Sequence, residues 1–154
     1  MPDWTIEDQL AFMAGQGISR AIFSFSTPGP NILPGNRAVT VALARVLNEM
    51  AAAYCRAYPG KFNFYVQVPL PYTQDAINEM KYAMTLPGAV GVWLQSNAEG
   101  IYLGDPLFKN FFQTINSWPG RQIVYVHPSI PYLKVGNQLV EANPTSYLTG
   151  KIEF

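Results

Sequence analysis

A Pro-Gly pair followed by a short, β-rich apolar run occurs three times along the chain: Tyr58-Pro-Gly-Lys-Phe-Asn-Phe-Tyr-Val-Gln67, Leu86-Pro-Gly-Ala-Val-Gly-Val-Trp-Leu-Gln95 and Trp118-Pro-Gly-Arg-Gln-Ile-Val-Tyr-Val-His127. A segment with helical periodicity precedes each stop, and proline with glycine just past the last turn commonly ends a helix. The repeated unit is therefore helix, stop, strand. Strands separated by helices need crossover connections, which build a parallel sheet covered by helices on at least one face. The fold class expected is α/β with a parallel sheet, its strands near residues 20–26, 62–69, 89–96 and 122–128.

The helices can be assigned one by one. A first runs from about Thr5 to Ala14 with Ile6, Leu10 and Met13 inward, ended by Gly15 or Gly17. Asn36 can cap a second, reaching about Arg56, with Val39, Leu43, Val46, Leu47, Met50 and Tyr54 on one stripe. Thr73 can cap a third through Leu86, carrying Ile77, Met80 and Met84 inward. Asp105-Pro106 begins a fourth, because aspartate caps well and proline suits the first helical position, and Leu107, Phe108, Phe111, Phe112 and Ile115 supply its buried face.

Counting seven residues from the glycine that ends each helix reaches Ser24, Gln67, Gln95 and His127, all polar. Polar residues inside a doubly covered parallel sheet are costly and concentrate at the carboxyl ends of strands, where ligands also bind. Equal offsets predict one layer of four side chains there, and Ser24, Gln67 and Gln95 become candidate substrate-pocket residues. Strand ends that simply meet solvent would also be polar. His127 is the only histidine, and Pro128 follows it as its strand terminates. That position suits a metal ligand or a catalytic imidazole, although a lone histidine is as readily a surface or satisfied core residue.

The chain has 154 residues, enough for one domain, and only 13% of them are charged. Ten basic residues balance ten acidic ones without a basic cluster, so a nucleic-acid partner is not expected. The start, MPDWTIEDQL, lacks a secretory pattern, and no apolar run approaches the ~18 residues that span a bilayer. These features read as an intracellular, cytoplasmic chain with no membrane partner. Cys55 stands alone and reads as a buried, inert thiol.

No second histidine exists, so neither an HxH pair nor HExxH can be written. Glu99, Asp105, Glu141 and Glu153 are the acids that could join a metal site, with Asp105 also readable as a helix cap and the others as solvated. Gly15-Gln-Gly17 precedes a strand and lacks a third glycine, against the dinucleotide fingerprint. The loop Thr27-Pro-Gly-Pro-Asn-Ile-Leu-Pro-Gly35 is stiff and follows the first strand, which suits the wall of a substrate pocket or plain structural punctuation.

Ala21-Ile-Phe-Ser-Phe-Ser-Thr-Pro-Gly-Pro30, Tyr58-Pro-Gly-Lys-Phe62, Val68-Pro-Leu-Pro71, Tyr102-Leu-Gly-Asp-Pro106 and Val126-His-Pro128, in this order, resemble the amidohydrolase-related metal-dependent decarboxylases. The group is that of aminocarboxymuconate-semialdehyde decarboxylase, in its 6-methylsalicylate-decarboxylase-like branch. The resemblance implies a (β/α)8 TIM barrel of about 250 residues, represented here by strands two to five in a single incomplete domain, 1–154. It implies a divalent metal, usually zinc, with His127 as the ligand ending the fifth barrel strand. A small-molecule aromatic or unsaturated carboxylic acid would be the substrate and a carboxy-lyase the activity, in homo-oligomers. By the same resemblance the other metal ligands and the catalytic residues lie outside this chain, and Gly150-Lys-Ile-Glu-Phe154 starts a helix that continues further. The chain alone is then expected to be inactive. A hydrolase using the same metal layer, a half-barrel acting by association, and a flavodoxin-like domain are the alternatives, the last lacking any phosphate or flavin signature.

Overall fold

The computed structural model describes residues 4–141. Four strands, β1 (Ala21–Phe23), β2 (Phe62–Gln67), β3 (Ala89–Gln95) and β6 (Val124–His127), form one parallel sheet in that spatial order. Helices α1 (Ile6–Gly15), α2 (Arg37–Ala57), α3 (Thr73–Ala83) and α4 (Lys109–Ser117) alternate with them. The sheet with its helices is part of a TIM barrel, as the repeated unit and the resemblance together predicted. Two hairpins complete the described chain: β4 (Asn97–Ala98) with β5 (Ile101–Tyr102), and β7 (Tyr132–Val135) with β8 (Gln138–Glu141). Neither was expected from the sequence, although Gly136-Asn137 between two apolar runs is a hairpin signal.

Local chemistry sets most helix starts as anticipated. The Asn36 side-chain oxygen accepts from Val39 N at 3.2 Å, Thr5 Oγ1 accepts from Asp8 N at 3.1 Å, and Asp105 Oδ1 accepts from Leu107 N at 2.8 Å. Asp105 caps a 3-10 turn, Pro106–Phe108, that leads into α4. Thr73 is not the cap of α3. It is the first helical residue, and its hydroxyl donates to Leu107 O at 3.0 Å, so a tertiary acceptor took the group that capping would have used.

The larger departure is in α2. The buried residues are Thr40, Ala44, Asn48, Ala51, Ala52 and Cys55, whereas Val46 and Met50, expected inward, are 57% and 43% exposed. Both stripes have helical spacing. The small-residue stripe lets the helix backbone approach β2 closely, and the buried Asn48 within it hides that stripe from a purely apolar reading. Leu107, also expected inward, is exposed. By length and mean hydropathy α2 is long and apolar enough to cross a bilayer, contrary to the sequence reading, but it packs along β2 and α3.

One face of the sheet meets the helices. Phe62, Phe64, Val66, Val92 and Leu94 form a core there with Ala52, Met80, Phe108, Phe111 and Ile115. Burying Phe64, Phe108 and Phe111 contributes roughly 1.5–3 kcal/mol each. Cys55 belongs to this core, and burial raises its thiol pKa, with Arg56 opposing in part. A raised pKa lowers the thiolate fraction near neutrality. Labelling of Cys55 by a thiol reagent is therefore expected to be slow at pH 7 and to accelerate at the urea concentration where the fold opens; fast labelling of folded protein would contradict the packing.

Candidate functional site

Successive strand residues point to opposite faces, so the residues alternating with the core form the other face of the sheet: Tyr65 and Gln67 on β2, Trp93 and Gln95 on β3, Tyr125 and His127 on β6. Tyr65 and Tyr125 stack with centroids 5.3 Å apart and planes 4° from parallel. The His127 ring lies 5.9 Å from Trp93 and 6.4 Å from Tyr125, centroid to centroid. This face is aromatic with a polar rim at its carboxyl end.

The register keeps only part of the four-residue layer. Gln95 pairs with His127, because the glycines ending the preceding helices, Gly88 and Gly120, are level across β3 and β6. Gln67 pairs with Trp93 rather than with Gln95. The turn before β3 starts further along the sheet than the turn before β2, and the irregularity between Phe64 and Tyr65, which leaves Val90 without a partner, restores only some of the offset. Ser24 drops out of the layer. The β1–β2 register puts Phe23 opposite Phe64, and Ser24 is exposed, lining a 760 Å³ groove at the outer edge of β1 with Trp4, Phe23, Met50 and Tyr54.

Each remaining candidate has a definite environment. Gln67 is fully buried at 0% exposure, and among the described residues neither its Oε1 nor its Nε2 has a hydrogen-bond partner; Trp93 Nε1 is likewise buried and without a partner among them. The Thr27–Gly35 loop folds over both. A Cβ on Gly29 would lie 2.9 Å from the Trp93 ring and 3.0 Å from Gln67 Oε1, so only glycine allows the loop this close. Gln95 Nε2 donates to Pro28 O at 2.8 Å and ties the same loop to the end of β3. His127 Nδ1 lies 2.5 Å from Pro128 O. A carbonyl can only accept, so Nδ1 is the donor, and in the neutral ring the lone pair lies on Nε2. An imidazole whose second nitrogen is fixed by a backbone carbonyl is the usual arrangement of a metal-binding histidine. The chemistry of this donor therefore fits a divalent cation, with one ligand on the page: among the described residues no group of three or more His, Cys, Asp or Glu is close enough to hold a metal.

A second pocket of about 340 Å³ lies at the carboxyl end of the sheet, with Thr27, Pro28, Asn31, Gln95, Glu99 and Ser129 in its lining; His127 does not line it. The Thr27–Gly35 loop thus forms one wall of it. Glu99, weighed above as a metal-site acid, instead clamps loops: Gly35 N donates to its Oε2 at 3.0 Å, and Asn31 Nδ2 and Tyr72 OH approach its Oε1 at 3.4 Å. Burial, and then the charge of Glu99, raise the Tyr72 pKa, which keeps the phenol a donor. Asp105 is a cap. The side chain of Glu141 and all of Glu153 fall outside the described residues.

Four residues that sequence reasoning passed over, Ser96, Asn97, Ser129 and Asn48, build the frame of the site. Ser129 Oγ lies 2.8 Å from Ser96 Oγ and accepts from Asn97 Nδ2 at 2.8 Å, which joins the chain after β6 to the chain after β3. Asn48, buried in α2, holds the end of β2: its Nδ2 donates to Gln67 O at 2.9 Å and its Oδ1 accepts from Gln67 N at 2.8 Å. The signal for Asn48 was present, since a poor helix former four residues after Ala44 and three before Ala51 sits on the small-residue stripe.

Comparison with known proteins gives a consistent picture. A family model described as amidohydrolase matches residues 1–132. A 6-methylsalicylic acid decarboxylase of Penicillium expansum is 32% identical over 143 residues, covering 91% of this chain and 42% of that protein. Among solved structures, an amidohydrolase II superposes with a TM-score of 0.77 at 30% identity, over 90% of this chain and 44% of the other. A 5-carboxyvanillate decarboxylase of Novosphingobium aromaticivorans, with bound manganese and 3-methoxy-4-hydroxy-5-nitrobenzoic acid, superposes with a TM-score of 0.73 at 25% identity, over 80% and 35% of the two chains. The chain spans less than half the length of each of these relatives.

Proposed function

Because the chain belongs to the amidohydrolase family, we propose that it carries part of the active site of a metal-dependent, non-oxidative decarboxylase acting on an aromatic or unsaturated carboxylic acid. The observation that carries the reading is His127, at the carboxyl end of a parallel strand, with Nδ1 held by Pro128 O and Nε2 free to bind a metal. The decarboxylase relatives support the reaction class, and the manganese in one of them supports a divalent ion. Zinc is the ion we assign, since an imidazole ligand suits it.

His127 would supply one coordination position, and ligands beyond the described residues would supply the others. Bound there, the metal would act as a Lewis acid that orients the substrate carboxylate. The chain's own contribution is placement and exclusion of water. Tyr125, 41% exposed, flanks the imidazole and offers aromatic surface to an unsaturated acid, Trp93 backs the ring from beneath the Thr27–Gly35 loop, and Gln95, fixed to Pro28 O, closes the rim between β3 and the loop. No lysine or arginine lies among these residues, so the carboxylate depends on the metal for its counter-charge.

The experiment is a titration of isotope-labelled chain with Zn²⁺ and Mn²⁺, observing the His127 ring nitrogens. Zinc is expected to shift Nε2 while Nδ1 stays protonated, Mn²⁺ to broaden the same signals, and His127→Ala to abolish both effects. Affinity should be weak with one ligand, and the chain alone should release no CO2 from salicylate-type acids. Unchanged His127 signals at saturating zinc would overturn the reading.

A further inference from the structure

The four-stranded sheet has two free edges. Among the described residues β1 pairs only with β2 and β6 only with β3, so each outer strand leaves a row of backbone N–H and C=O groups unpaired. Neither Ala21–Phe23 nor Val124–His127 contains a lysine, an acid or a proline, the residues that ordinarily keep an open edge from pairing. Both edges are instead apolar: Ile22 is 47% exposed and Val126 49%, with Val124 and Tyr125 exposed beside it. The helices next to these edges also lack a neighbour. On the β1 side Phe12 of α1 is exposed, and the 760 Å³ groove runs along β1 with Trp4, Met50 and Tyr54 in its walls. On the other side α4, which leads into β6, carries a groove of about 570 Å³ lined by Phe112, Gln113, Ile115 and their neighbours on that helix alone, so one wall is in place and a second helix would close it.

We propose that the partner for both edges is a second copy of this chain: β6 of one copy pairs in parallel with β1 of the other at two equivalent seams, and the two sheets close an eight-stranded barrel. All four strands run in one direction, so an edge β1 and an edge β6 continue the sheet without reversing a strand. Four strands from each copy make eight, the number at which a parallel barrel closes over an interior filled by side chains. Ile22, Tyr65 and Tyr125, on the face away from the helices, supply part of that filling. Val124 and Val126 alternate with Tyr125 and His127, so they share the helix side with Phe23 and come to lie along the groove at β1 of the other copy. The same placement sets α1 of one copy beside α4 of the other, where Phe12 meets the one-walled groove. An unrelated partner would have to match both edges separately, whereas a two-fold operation makes the seams identical and leaves no edge open. A closed barrel has one mouth, to which each copy contributes its His127.

The test is the mass of the metal-free 154-residue chain in sedimentation at about 100 μM, above the micromolar upper end for interfaces of standard size. A dimer is expected. Val126→Lys puts a charge on the β6 edge and Ile22→Lys puts one on the β1 edge. Both positions are exposed in the single chain, so both variants should fold, and each should raise the dissociation constant about a hundredfold or more. An equimolar mixture of the two variants should recover part of the association, because one of its two seams then joins an unaltered β1 to an unaltered β6. A monomeric parent chain, a species larger than a dimer, dimers untouched by either lysine, or a mixture no more associated than the separate variants would each overturn the proposal. The parent's mass decides even where a variant folds poorly. No metal takes part, so failure here is read separately from the zinc titration of His127.

Discussion

Replacing Asn48 with alanine is expected to lower the unfolding free energy by about 3 kcal/mol or more, measured by urea denaturation. In a parallel sheet the N–H and C=O of one residue face the same neighbouring strand. At Gln67 that neighbour has ended, since β1 stops at Phe23 opposite Phe64. The planar amide of Asn48 takes the place of the missing strand with two hydrogen bonds to the Gln67 backbone. Its Nδ2 also donates to Glu79 Oε1 at 2.9 Å, and Glu79, 4% exposed, pairs with Arg45 at 2.9 Å. Alanine leaves a buried N–H and a buried C=O without partners and takes one donor from a buried carboxylate. Asn48→Asp keeps one acceptor but loses both donors beside Glu79, so it is expected to be no better. Stability within about 0.5 kcal/mol of the parent in Asn48→Ala would show that the end of β2 does not depend on this amide.

The second large effect is expected at Gly91. A Cβ there would lie 2.5 Å from Ile123 O and 2.8 Å from Ile123 Cβ. The obstacle is backbone, so no side-chain rotation relieves it, and β6 must move away from β3. Val92 N donates to Ile123 O at 2.9 Å, and that bond lies directly in the path. Overpacking commonly costs about 1–3 kcal/mol and a disrupted ladder bond about 1 more, so Gly91→Ala should lose about 3 kcal/mol. The change should also reach the site. Displacing β6 separates His127 from its partner Gln95 and disturbs the stack of Tyr65 on Tyr125. A reduced zinc shift at His127 in folded Gly91→Ala is the expected signature, and an undisturbed His127 with parental stability would refute the packing argument.

Legibility followed the range of the interaction. Caps and stops involve residues three or four apart, so Asn36 and Asp105 could be read directly as caps, and so could the order of helices and strands. Thr73 escaped because its hydroxyl found Leu107 O, 34 residues away. The buried stripe of α2 escaped because two helical stripes coexist and the helix takes the one with small residues, against β2. Glu99 could be read as an acid but not as a clamp, because its partners come from the loops after β1 and β2.

By itself the sequence determined that strands and helices alternate in a parallel α/β sheet and that His127 ends the last sheet strand, because Pro-Gly stops and apolar periodicity act within a few residues. Tertiary structure alone decided which of the four polar strand-end residues lie together. Register depends on where each turn meets the sheet and on one unpaired residue at Val90, so equal counts along the chain put Gln95 beside His127, left Gln67 beneath Gly29, and placed Ser24 at the open edge. The partner that holds the His127 ring was decided in the same way, by where the chain turns after β6 and brings Pro128 O to Nδ1.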